Sequence, residues 1–146
     1  MKISRTLLCA AYGVIAVLAL VGTWGNNLHY LGDGFFAANT HFWSDTLVNA
    51  ASRSITVDVF FLSLAAIMWM LLEARRLKLR AVWLYVIFGL LVAISVTVPL
   101  FLIHRERALA ARDGDAPAGE LHLLDILGLT ALAIGAIAYA LATLSR

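Results

Sequence analysis

The sequence predicts an all-α membrane protein, a four-transmembrane-helix bundle with a short interfacial helix before the second span. Three observations predict it. Of the 146 residues, 62% are hydrophobic and 14% charged, against about 45–50% and about 25% in a soluble domain. A water-soluble chain of this length could not cover its surface with so few polar groups. The apolar residues gather in four runs, each near the roughly 20 residues that cross a hydrocarbon core about 30 Å thick. Tryptophans and tyrosines (Trp24, Tyr30, Trp43, Trp69, Trp83, Tyr85, Tyr139) fall near the ends of those runs, where membrane interfaces hold them.

The first span is predicted over 7–24, inside a stretch from 6 to 32 without Asp, Glu, Lys or Arg. Lys2 and Arg5 before it give the look of a signal peptide. The run exceeds the roughly 7–15 residues of a typical signal core, and no small-x-small cleavage site follows, so a retained helix is expected. The second span is predicted over 55–72, interrupted by Asp58 alone, the third over 81–103, and the fourth over 121–144 with Asp125 near its start. In the long connection 25–54, Ser44 and Asp45 read as a helix start, and Leu47, Val48 and Ala51 share a face. The connection 104–120, with Gly114, Pro117 and Gly119, reads as a solvated loop. Residues 1–146 are expected to form a single membrane domain.

Short-loop Lys and Arg set orientation. Arg75, Arg76, Lys78 and Arg80 join Lys2, Arg5 and Arg146 on one side, against Arg53, Arg105, Arg107 and Arg112 on the other. The expectation is a multi-pass protein of the bacterial inner (cytoplasmic) membrane with both termini cytoplasmic. A net charge of +2 gives no reason to expect nucleic acid.

Helices in lipid associate through small residues that let backbones approach. Gly13, Ala16, Ala19 and Gly22 form one such stripe on the first span, and Gly128, Ala131, Gly135 and Ala138 another on the fourth. Gly89 and Ala93 form a weaker pair on the third. The stripes suit pairing of the first and fourth helices, a homo-oligomer, or a larger membrane complex.

Polar residues within apolar runs mark candidate sites, because ionisable groups there need partners. Asp58 sits near the outer end of the second span. Pro99 removes a backbone donor and frees the Ser95 carbonyl, so a kink is expected at similar depth. His104, Arg105, Glu106 and Arg107 follow it and complete a candidate outer polar site with Asp58. On the inner side, Glu73 is placed to pair with Arg76 across one turn, and Arg75, Lys78 and Arg80 to face lipid headgroups. His29, His41, His104 and His122 all fall on the expected outer side. No tight pair exists among them, which leaves their convergence on a metal or haem open; no metal ligand, catalytic residue or cofactor is assigned. The single cysteine, Cys9, excludes a disulfide framework.

Taken together, Asp58 opening a helix, Glu73-Ala74-Arg75-Arg76 closing it, and Pro99-Leu100-Phe101-Leu102 followed by Arg105-Glu106-Arg107 resemble the bacterial membrane family known as domain of unknown function 2834. The resemblance covers roughly residues 40–107. It implies a bacterial inner-membrane protein and singles out Asp58, Glu73, Arg76, Pro99, Arg105, Glu106 and Arg107. Members of that family are typically shorter, with three spans, so the fourth helix departs from the pattern. No reaction is implied.

The function that asks least of the residues is a non-enzymatic accessory or scaffold subunit, packed in the bilayer among membrane lipids. The alternatives are a binder or carrier of a lipid, isoprenoid or pigment in an outer-leaflet pocket near Asp58, Pro99 and Arg105, or an intramembrane enzyme using Asp58 as acid or base. The carrier requires an apolar cavity with those polar groups at its mouth.

Overall fold

A computed structural model describes residues 1–114 and 116–145. Helix α1 (Arg5–Asn27) starts where the Ser4 hydroxyl accepts the Leu7 amide at 3.2 Å. A 3-10 helix (Leu28–Asp33) and α2 (Phe35–Asp45) follow. Helix α3 (Ala50–Arg76) is capped by Asn49, whose side-chain oxygen accepts the Ser52 amide. Then come α4 (Val82–Leu91), α5 (Ile94–Asp113) and α6 (Leu123–Leu144). Two short strands, β1 (Lys2–Ile3) and β2 (Gly119–Glu120), pair antiparallel with Lys2 opposite Glu120. Three helical segments are long and apolar enough to cross a membrane: α1 with its 3-10 extension, α3 and α6.

The continuous span expected over 81–103 is not formed. Helix α4 stops at Leu91, Ala93 is extended, and α5 restarts at Ile94 and folds back along α4. Gly89 makes this close reversal possible. A Cβ there would stand 2.8 Å from Thr97 Oγ1 and 3.1 Å from Ile94 Cδ1. Further from the apex, Tyr85 packs edge-on against Phe101, and its hydroxyl lies 3.1 Å from His104 Nδ1. Breaking a helix among apolar surroundings frees backbone groups, and the Val92 carbonyl accepts the Trp24 indole N–H at 3.2 Å. The chain therefore reverses at Val92–Ala93, while Pro99 is buried within α5 just past its first turn.

Two smaller expectations also shift. The helix before the second long span is α2, which ends at Asp45 where the sequence suggested a start. Asn49 caps α3 instead. The expected loop after 103 is helical to Asp113, because charged side chains there are held by partners on α1 and α3.

Helix α5 runs antiparallel to α1, with Arg5 beside Asp113 at one end and Trp24 beside Val92 at the other. Helix α6 runs parallel to α1. The Met1 amino group donates to the Leu121 carbonyl at their start, and Asn26 Nδ2 donates to Thr143 Oγ1 at their finish. Leu144 consequently lies at the end of α1 opposite Arg5.

A compact core joins α3, α4 and α5: Met70, Ala74, Val82 and Phe101, with Leu71, Leu79, Tyr85 and Val98 packed around it. Elsewhere the large apolar side chains of α1, α3 and α6 point outward, as suits helices whose solvent is lipid.

Candidate functional site

The last turn of α3 fixes the geometry. The Leu79 amide reaches back to the Ala74 carbonyl at 2.8 Å and the Lys78 amide to that of Arg75, a Schellman closure. It requires the left-handed backbone, which Lys78 adopts at φ 58°. Through this turn Leu77 is buried and Leu79 packs on the core, while Lys78 and Arg80 project outward. Glu73, one turn back, is directed into the junction with α5.

There the Glu73 carboxylate receives Arg76 Nε at 2.6 Å and Arg105 Nε at 2.6 Å. Arg105 also donates to the neighbouring Glu106, whose second oxygen receives Arg5 NH1 at 2.8 Å. Arg5 continues to Asp113 at 3.4 Å and gives its Nε–H to the Ala116 carbonyl. Three arginines and three carboxylates thus form one chain, Arg76–Glu73–Arg105–Glu106–Arg5–Asp113, which ties α3, α5 and α1 together and carries no net charge. Glu106 is only 3% exposed. A buried carboxylate is tolerable when its lone pairs are taken up by cations, and each of the two glutamates binds two guanidinium groups. Among the described residues no buried side-chain N or O lacks a hydrogen-bond partner.

The junction merges two sites that the sequence placed on opposite sides. Glu73 and Arg76 from the expected inner site meet Arg105 and Glu106 from the expected outer one, because the α4–α5 reversal returns residue 105 to the level of residue 73. Arg75, Lys78, Arg80 and Arg107 are exposed around it. His104 pairs with Tyr85, and Pro99 is buried nearer the hairpin apex. Asp58 does not join them. It is exposed on α3, about 22 Å from Glu73 at 1.5 Å rise per residue. Arg5 and Asp113, which complete the chain, were not singled out by sequence; the only signal for Arg5 was a cation just ahead of the first span.

The remaining candidates are dispersed. His29 meets Tyr30 edge-on, and His122 caps α6, its amide held by Asp125 at 2.8 Å. Among the described residues no group of three or more His, Cys, Asp and Glu is placed to hold a metal ion. Along the stripes, Ala16 is buried and Gly22 faces Ala140, where a Cβ would sit at 3.5 Å. Gly13, Gly128 and Gly135 face open space, and Ala131 and Ala138 are exposed. Shallow grooves lie in the α2–α3 elbow, one lined by Tyr30, Phe42 and Thr56, another by Trp43, Leu47, Arg53 and Phe60; neither includes Asp58, Pro99 or Arg105.

No curated protein and no solved structure matches the chain. Residues 11–107 match the family described as "Protein of unknown function DUF2834". The match runs from α1 through the charged middle of α5 and takes in Glu73, Arg76, Arg105 and Glu106, while Arg5, Asp113 and α6 fall outside it. With most of its length in that match, from the first long apolar helix to the Arg105-Glu106-Arg107 run, the chain belongs to the DUF2834 family.

Proposed function

We propose that the protein is a non-enzymatic accessory or scaffold subunit of a bacterial cytoplasmic membrane, packing through its helix faces against further copies or a larger complex. One observation carries this reading: the charged side chains of the junction are consumed by one another. A site for chemistry or for a polar ligand keeps a desolvated acid, base or donor free to engage it, and Glu73, Arg105 and Glu106 are each held by protein partners. The uncovered small-residue face of α6 supports the packing role.

The same fold supports a reading of the orientation. Among the described residues, every Lys and Arg except Arg53 belongs to the Arg5 end of the helices. The positive-inside rule then puts that end in the cytoplasm, with α1, α3 and α6 crossing, α4–α5 re-entering from the cytoplasmic side, and the end of α6 outside. Alkaline phosphatase fused after Ser145 is expected to be active and a fluorescent protein at the same position dark; the reverse result overturns the orientation.

Native mass spectrometry of the gently solubilised protein tests the function. A defined homo-oligomer, or a protein partner in fixed ratio, is expected. A monomer carrying a stoichiometric pigment or isoprenoid would overturn the scaffold reading in favour of a carrier.

A further inference from the structure

The junction leaves a second set of cations unspent. Of the basic residues at this end, Arg5, Arg76 and Arg105 are neutralised by Glu73, Glu106 and Asp113. Arg75, Lys78 and Arg80 lie on the last turn of α3 and the connection to α4, exposed, with Leu77 and Leu79 turned inward beneath them. Arg107 is exposed on α5 at the same end of the helices. It is three residues on from His104, and so on a similar helix face, and His104 is the residue that meets Tyr85 of α4. The Glu73–Arg105 bond at 2.6 Å holds the two elements in place. None of the four cations has a carboxylate partner among the described residues.

We infer that Arg75, Lys78, Arg80 and Arg107 form a binding surface for the headgroups of acidic phospholipids in the leaflet at this end of the bundle. Four exposed cations on the rim of membrane-crossing helices lie at headgroup level, and a phosphodiester without a compensating ammonium supplies the charge they lack. Such attraction is worth about a fivefold change in binding per cation close to an anionic surface and weakens with salt. The inference rests on the membrane reading proposed above, but not on the scaffold role.

Lys78 provides the sharpest variant. Its φ of 58° favours glycine, so Lys78→Gly removes a charge while relieving the backbone; loss of lipid in this variant cannot be ascribed to a failed fold. The purified protein is mixed in mild detergent with equal amounts of phosphatidylglycerol and phosphatidylcholine, and retained lipid is counted by native mass spectrometry. The wild type is expected to retain phosphatidylglycerol in excess. That excess should fall about fivefold in Lys78→Gly, with an unchanged or raised thermal midpoint, and vanish when Arg75→Gln, Arg80→Gln and Arg107→Gln are added. Equal retention of the two lipids by the wild type, or an undiminished preference in the quadruple variant, overturns the proposal. So does displacement of the lipid by equimolar inorganic phosphate, which would assign the surface to a soluble anion. The fusions after Ser145 report the membrane orientation separately, so failure of that reading is recognised independently of lipid preference.

Discussion

Replacing Glu106 by Gln removes the charge that ties α1 to α5 while keeping the side chain's size. Glu106 is 3% exposed and receives Arg5 at 2.8 Å on one oxygen and Arg105 on the other. Breaking a buried ion pair by removing one member costs about 3–5 kcal/mol. Both stranded guanidinium groups retain a second carboxylate, Arg105 at Glu73 and Arg5 at Asp113, and glutamine still accepts one neutral hydrogen bond. The lower end is therefore expected, about 3 kcal/mol of lost stability. Asp113→Asn is the internal control. Its side chain is 44% exposed and lies 3.4 Å from Arg5, so solvent screening limits the effect to below about 1 kcal/mol. Both variants are to be unfolded from mixed micelles by increasing the mole fraction of dodecyl sulfate, followed by far-ultraviolet circular dichroism. Glu106→Gln no more destabilising than Asp113→Asn would refute the burial argument, and a double-mutant cycle with Arg5→Gln locates the lost coupling.

Three further outcomes are expected. Trp24→Phe leaves the Val92 carbonyl at the hairpin apex without its donor and should cost about 1–3 kcal/mol in the same titration; wild-type stability would mean that another group serves that carbonyl. Gly89→Ala drives a methyl to within 2.8 Å of Thr97 Oγ1 and should cost about 1–3 kcal/mol, a loss reduced by Thr97→Ala in the same chain if the clash is its source. Asp58→Asn should change stability by less than about 0.5 kcal/mol because the residue is exposed on α3; a severe loss of folding would restore Asp58 as the partner of a cation.

Much of the fold was legible because lipid imposes long apolar runs, and α1, α3 and α6 are those runs. The third run misled for a physical reason. Residues 81–103 are apolar and long enough to cross, and composition cannot distinguish one helix of that length from a helix, a reversal and a second helix. The distinguishing contacts, Thr97 against Gly89 and Trp24 on Val92, join residues far apart around a turn or in separate helices, where no local periodicity reports them. Separating Arg105 and Glu106 from Glu73 and Arg76 followed directly. The motif Glu73-x-x-Arg76 and the Arg105-Glu106-Arg107 run were visible as charged groups beside apolar helices, but their union depends on the reversal. Arg5 and Asp113 were harder still, since a cation ahead of a first span and an acid in a charged connection are ordinary features of any membrane protein.

The ion-paired junction also bears on which way the third apolar run is threaded. As a single helix, 81–103 would carry Arg105, Arg107 and Arg112 to the far side; as a hairpin it keeps them with Arg5 and Glu73. Taking out Glu73 and Arg105 together, as Glu73→Leu with Arg105→Leu, removes one charge of each sign and leaves the Glu106–Arg5 pair intact. Stability should therefore suffer less than in either single variant, since balanced removal of a buried pair is far milder than stranding one member. Threading should suffer nonetheless, because the ion pair between α5 and α3 is gone. A reporter fused after Arg112 is expected to lie wholly on the cytoplasmic side in the wild type and to divide between the two sides in the double variant. A wholly cytoplasmic reporter in the double variant would mean that Gly89, Thr97 and Trp24 suffice to hold the hairpin, and that the junction acts on helix packing without setting topology.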